Sequence, residues 1–411
     1  EPLRKTVDNL KIRLSYGSLG NQQIGYYDFI QTITTKGSMG DYSFDGTILG
    51  QHATVSDPVS GNQTWEKVIS KNLGADLNMF SNRLSLTADF YIRDTKGILG
   101  KGKSLPSIYG ANEPQVNSNN LRTKGYELVL GWRDSFKLAG STFSYGITGT
   151  FSDYTAEYTK CDNPSGLIGD PYVGKKYGEI WGYKVDGLFR NDEEAAEYAS
   201  RVDLSKVAAG YYSATGAYGK GVRGGDIKYL DLNGDGVVDA HDEVAIGYSR
   251  VPEINYGFGL QINWKGLDFG AFFRGQAHVS YSLGGSFFPF ANGVGKGNLF
   301  AKAMDRWSEE NPNPNAFYPR LSASASANNQ KASTRTIYDG SLLRLSDLEV
   351  GYTFRGKHLK SWGCQSLRVY FVGSNLLLFS PWDMWDPESG STNGSNYPLA
   401  RKFNLGVRIS F

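Results

Sequence analysis

Cysteine is nearly absent: Cys161 and Cys364 are the two in 411 residues. They make no disulfide framework, and sequence leaves open whether they pair or stand free. Long apolar runs are missing too. No stretch approaches the ~20 consecutive apolar residues of a membrane helix, so a helical membrane protein is excluded. An excess of one charge is lacking: 43 basic residues face 41 acidic ones, a net charge of +2. That leaves no electrostatic footprint for nucleic acid. Catalytic signatures are sparse. There is no G-x-S-x-G elbow and no H-E-x-x-H pair, and the four histidines (His52, His241, His278, His358) are scattered. No nucleophile–base pair emerges from spacing, so the expectation is a protein that is not an enzyme.

What is abundant points to strands. Aromatics reach 14%, led by 26 tyrosines, beside 51 glycines. Amphipathic rings suit the boundary between lipid and water. In the final nine residues Phe403, Leu405, Val407, Ile409 and Phe411 alternate with Asn404, Gly406, Arg408 and Ser410. Period-two alternation puts the five apolar side chains on one face of a strand. The pattern resembles the C-terminal signal by which bacterial barrel proteins are handed to their assembly machinery. A strand pinned in a soluble sandwich is the alternative for these nine residues alone.

The same alternation predicts ten strands, over 8–18, 65–79, 83–96, 120–133, 141–155, 254–264, 267–280, 341–355, 366–377 and 401–411. Each is about as long as a tilted membrane strand or somewhat longer. Their connections alternate between short (Ser81-Asn82, Asp134–Gly140, Lys265-Gly266, Gly356–Gln365) and long (19–64, 97–119, 156–253, 281–340, 378–400). Outer-membrane barrels show this asymmetry, with tight periplasmic turns and long extracellular loops. The fold class expected is all-β: a transmembrane antiparallel β-barrel. At 411 residues the chain exceeds the ~250–300 of a single soluble core. It begins Glu1-Pro2-Leu3 with no Met or signal peptide, so it is expected to be the C-terminal part of something longer.

Within the longest loop lies Asp231-Leu-Asn233-Gly-Asp235-Gly236-Val237-Val-Asp239-Ala-His-Asp242. Oxygen donors fall at positions 1, 3, 5, 9 and 12, with the Val237 carbonyl at 7 and glycine at the sharp turn. Hard oxygens at that spacing wrap one hard cation, so Asp231, Asn233, Asp235, Val237, Asp239 and Asp242 are candidate Ca²⁺ ligands with a structural role. Asp242 replaces the usual glutamate, and the flanks read as strands where helices would make an EF-hand. His241, at position 11, is left out of the set. A solvated Asp/Gly turn is the plain alternative.

Other candidates are weaker. Gly293-Val-Gly295-Lys-Gly297 lacks the Lys-Ser/Thr ending of a phosphate loop and reads as a flexible loop before a helical stretch from Ala301 to Ser308. Asp192 through Ala199 reads as a short acidic amphipathic helix. Trp382, Trp385, Asp383 and Asp386 suit sugar stacking, an interfacial belt or packing against a partner. Substrate-binding residues are not identifiable.

Short motifs stand in order along the chain: Asn9-Leu-Lys-Ile-Arg-Leu-Ser-Tyr-Gly-Ser-Leu-Gly-Asn21, Thr123-Lys-Gly-Tyr-Glu-Leu128 and Gly225-Asp226-Ile-Lys-Tyr229. They continue with Arg306-Trp-Ser-Glu-Glu-Asn-Pro312, Pro319-Arg320, Leu343-Arg344-Leu345, Gly373-Ser-Asn375-Leu-Leu and Asp386-Pro-Glu388. On these the chain resembles the C-terminal part of a SusC/RagA-type TonB-dependent outer-membrane transporter of the Bacteroidetes kind. The resemblance implies a 22-stranded plugged barrel in the bacterial outer membrane. Residues 1–411 would be the later strands, and the plug, TonB box and first strands have no counterpart here. It also implies TonB-energised import of oligosaccharides or peptides, with a SusD-like surface lipoprotein as partner, the TonB complex as energy source and outer-membrane lipid around the wall. A passive porin or adhesin, or a barrel-associated hydrolase, are the other classes.

Overall fold

The computed structural model describes residues 6–21, 30–37, 51–61, 63–102, 105–163, 166, 169–208, 222–287, 299–322, 326–356, 359, 361 and 363–411. Ten long strands form one antiparallel sheet in chain order. They are β1 (Val7–Asn21), β2 (Glu66–Met79), β3 (Leu84–Lys101), β4 (Gln115–Leu138) and β5 (Ser141–Lys160). β6 (Ile254–Trp264), β7 (Leu267–Ala277), β8 (Leu342–Phe354), β9 (Ser366–Phe379) and β10 (Lys402–Ser410) complete it. All ten strands expected from alternation are present. The order runs from β1 to β10 without closing on itself. No helix among the described residues is long and apolar enough to cross a membrane, which says nothing of strands.

Register explains the two faces. Leu10, Leu77, Leu86, Leu130, Gly149, Phe258, Phe273, Leu345 and Leu377 are successive cross-strand partners, an apolar row around nine strands. One residue along, the row is Lys11, Asp76, Thr87, Val129, Thr150, Gly257, Arg274 and Arg344, which is mostly polar. A side-chain period of two keeps the rows on opposite faces throughout. The apolar face stays open, with Leu14 83% and Leu405 80% exposed. Aromatic pairs border it near the short turns: Phe80–Trp132 at 6.2 Å, Phe136–Phe143 at 5.1 Å and Tyr352–Phe354 at 4.7 Å. Tyr126–Phe151 at 5.8 Å lies toward the long loops.

One short connection is tighter than expected, and another is as expected. Ala139-Gly140, in place of Asp134–Gly140, and Lys265-Gly266 are two-residue turns with positive φ at both positions (47° and 77°, 48° and 89°). That geometry matches the right-handed twist of the strands it joins. The stretch from Asp134 to Leu138, read as connection, instead continues β4 by pairing with Ser141–Tyr145.

The long loops build their own core. Four two-stranded ribbons occur there, among them Val185–Leu188 with Ile227–Tyr229 and Ile180–Gly182 with Val244–Gly247. Helix α1 (Asp192–Arg201) starts where expected, with Asn191 accepting the Glu194 amide as N-cap. The predicted helix after Ala301 is only a 3-10 turn to Met304. Beyond it the chain is drawn into pairing with Tyr318, through Trp307 N–H to its carbonyl at 3.0 Å and the Tyr318 N–H to Asp305 at 2.9 Å. Leu188, Val207, Ile227, Tyr229 and Val238 form one buried cluster. Val279, Tyr281, Phe287, Tyr318 and Tyr338 form another.

Candidate functional site

The Asp231–Asp242 segment sits between the two ribbons that close the first loop core, so both flanks are strands, as the sequence reading expected. Its side chains are ordered by their own backbone. Asp231 accepts the amides of Gly234 (2.7 Å) and Gly236 (2.9 Å), Asn233 that of Asp235 (2.9 Å), and Asp235 that of Val237 (2.8 Å). Gly234 and Gly236 take positive φ of 75° and 84°, which only glycine adopts without cost. The loop is clamped to the segment after α1: Asp203 N–H donates to the Gly236 carbonyl at 2.7 Å and Val238 N–H to the Asp203 carbonyl at 2.9 Å.

Asp242 is fully buried, and its carboxylate accepts the amides of Leu232, Asn233 and Asp239 at 2.7, 3.2 and 2.9 Å. Both of its oxygens are therefore engaged by backbone. Asp239 accepts the His241 amide at 2.8 Å and lies 2.9 Å from the imidazole Nδ1. The His241 amide and then its ring hold the Asp239 carboxyl below its usual range. His241, left out of the candidate set, thus neighbours one of its members. Among the described residues no three His, Cys, Asp or Glu side chains gather as a metal-holding group. The donor chemistry suits a hard cation, because each carboxylate has lone pairs beyond those its amides use. The tight spot is position 12, where a cation would have to share Asp242 with three N–H groups.

The opposite assembly is the polar face of the sheet, which the sequence reading did not single out. Arg13 bridges Asp76 (3.0 Å) and Asp89 (2.8 Å) across three strands. A Cβ at Gly74, which lies between them, would come within 2.5 Å of Asp89 and 2.8 Å of Arg13. Glycine is what leaves room for the ion pair. Arg368 likewise pairs with Asp268 and Glu349 beside Gly351. At the last loop, Arg344 is nearly buried and binds Asp386 at 2.6 Å and Glu388 at 3.2 Å, while Arg274 reaches Glu388 at 2.5 Å. Arg274, Glu388, Glu127, Ser152, Asn255 and Gln276 help line a cleft of about 410 Å³ on this face. Alternating charges of opposite sign at the polar positions of neighbouring strands were the available signal.

Trp382 and Trp385 are occupied by neighbours. Trp382 stacks on Tyr338 at 4.2 Å, Trp385 meets both rings edge-on, and its indole N–H donates to the Tyr338 hydroxyl at 3.3 Å. The readings offered for this group were sugar stacking, an interfacial belt or packing against a partner; what is observed is packing among the chain's own loops. Asp386 is the anchor of the Arg344 pair, and Asp383 is exposed. Cys161 and Cys364 are not joined in a disulfide. Gly293, Gly295 and Gly297 lie outside the described residues, as do His358 and the side chain of His52.

No family model matches the chain. Curated relatives do. It is 26% identical to TonB-dependent receptor P3 of Formosa agariphila, over 99% of this chain and 40% of that protein. It is 23% identical to TonB-dependent receptor SusC of Bacteroides thetaiotaomicron, over 98% of this chain and 38% of that one. Among solved structures, the RagAB peptide transporter superposes with a TM-score of 0.67 at 22% identity, covering 99% of this chain and 41% of its own. The chain thus spans about 40% of the length of the curated relatives it matches.

Proposed function

With this chain recognised as barrel wall of a SusC-type TonB-dependent transporter, we propose that the protein it forms imports oligosaccharides or peptides across the bacterial outer membrane. Import is energised by TonB and served by a SusD-like surface lipoprotein. The observation that carries this reading is the two-faced sheet: a continuous apolar row outside, a charged face inside, and loops long on one side only. A membrane wall needs lipid-compatible side chains outward and every backbone group paired. The inward ion pairs and the polar cleft suit a water-filled passage or a plug surface. Neither glycan nor peptide is favoured by the residues.

The remaining length of the relatives is where we place the plug and the missing strands, with residues 1–411 as later wall and long extracellular loops. Uptake of a growth substrate by cells carrying the full transporter tests the reading. Transport should stop when TonB is deleted or the proton gradient collapsed. Entry that continues undiminished would make the protein a passive porin.

For the acidic loop we propose structural Ca²⁺ held by Asp231, Asn233, Asp235, the Val237 carbonyl and Asp239, with Asp242 closing the set. The ion would supply charge neutralisation among crowded carboxylates. Chelation should speed proteolysis within 225–246 and leave the sheet folded. Cleavage at the same rate with and without chelator would discard the ion.

A further inference from the structure

On the outward face, the rows just loop-side of the apolar girdle change character over β1–β5. Leu14, Leu73, Phe90 and Tyr126 form the last apolar row. The next row is Tyr16, Lys71, Ile92, Lys124 and Thr155. Beyond it come Ser18, Ile69, Asp94, Arg122 and Glu157, then Gly20, Lys67, Lys96, Asn120 and Lys160. The register therefore stacks Lys67, Lys71, Lys96, Arg122, Lys124 and Lys160 in one band, and all six are exposed. Three carboxylates share the face. Asp94 is nearly buried and pairs with Arg122 at 2.6 Å, and Asp153 and Glu157 sit at the β5 margin. Six cations against three anions leave the band positive. A surface cleft of about 290 Å³ opens inside it, with Phe90, Arg122, Lys124 and Tyr126 among its lining.

Position gives this band its meaning. With a rise of about 3.4 Å per residue, the Lys71–Lys124 row lies about 20 Å along the strands from the central Leu10–Leu77 row. That is where hydrocarbon gives way to headgroups on the side of the long loops. Lysines there keep their stems on apolar wall and their ammonium groups in the polar layer. Aromatic rings directly below anchor the boundary. Charge left unpaired at that height is complementary to phosphate. We propose that this band binds the phosphorylated headgroup of an anionic lipid in the outward leaflet, with its acyl chains lying over the Leu73–Phe90–Tyr126 row. The proposal rests on the outer-membrane reading above. It adds a lipid site on the external wall, separate from the import passage.

The test uses the full-length transporter purified in detergent. Native mass spectrometry compares retention of bisphosphorylated lipid A with that of its dephosphorylated form. Lys71→Gln/Lys124→Gln is the test variant and Lys11→Gln, on the polar face, the control. Phosphorylated lipid should be held preferentially. Retention should fall about fivefold for each lysine removed and be unchanged in the control. If the double variant fails to fold, Lys67→Gln/Lys96→Gln, two rows farther out on the same face, replaces it. Equal retention of the two lipids, wild-type retention by the variant, or displacement by equimolar inorganic phosphate would each overturn the assignment. Vesicle flotation separates the two readings: protein that never enters a bilayer removes the membrane wall itself, whereas insertion without phosphate preference removes only the lipid site.

Discussion

The sheet and the loop assembly use the same apolar residues in opposite ways. In the loops, Phe189 and Val207 are completely buried and Tyr229 is 1% exposed. In the sheet, Leu14 and Leu405 stand 83% and 80% open. A water-soluble monomer rarely tolerates a contiguous apolar face of that extent. The loops are therefore organised for water, and the wall for a medium with no hydrogen bonds to offer. Charges differ between the two regions as well. Asp226 and Arg320 are interred together at 2.8 Å in the loop core, whereas the Arg13 pairs of the wall stand partly open on its polar face.

The contrast can be broken from either side. The largest effect is expected from Asp226→Ala, which removes the buried carboxylate that Arg320 meets at 2.8 Å and that Asn329 contacts. Breaking a buried pair costs about 3–5 kcal/mol. Proteolysis of the loop core should accelerate while the heat-modifiable gel mobility of the sheet is retained. Loss of both together would mean that the two regions fold as one unit. Next comes Leu128→Arg, on the apolar face beside Phe151. In water that change would be near neutral, but in a bilayer it costs about 2–4 kcal/mol near the midplane. Denaturant titration in vesicles distinguishes the cases, and an unaltered midpoint would contradict a lipid-facing wall. A smaller, local change is expected from Asp231→Ala, which removes the acceptor of the Gly234 and Gly236 amides. Its effect should appear as weakened terbium luminescence and faster cleavage near 236. The least is expected from Gly351→Ala, whose Cβ would crowd Asp268 and Arg368. A partly exposed pair contributes at most about 1 kcal/mol, so a small drop in wall stability is the expected reading.

Sequence revealed the wall wherever hydrophobicity alternated, and lost it where alternation stopped. β3, β4 and β5 each run about five residues farther toward the long loops than the pattern indicated, to Lys101, from Gln115 and to Lys160. Those extensions carry Asn117 and Asn119, and the backbone ladder continues there without an apolar face. Above the membrane the outward positions need not be greasy, so period two disappears while pairing persists. β7 ends earlier than expected, at Ala277, because His278 turns to a φ of 51°. The acidic loop stood out because its spacing of Asp, Asn and Gly is local. The ion pairs of Arg13, Arg344 and Arg368 did not, since each joins residues that only the register brings together.

The sheet has two unmated margins, along β1 and β10. Among the described residues no strand lies alongside either, over nine residues at β10 and fifteen at β1. Such rims recruit whatever extended chain they meet. Expressed by themselves, these 411 residues should zip rim to rim into insoluble ribbons, and a strand-forming peptide that caps either rim should keep them apart.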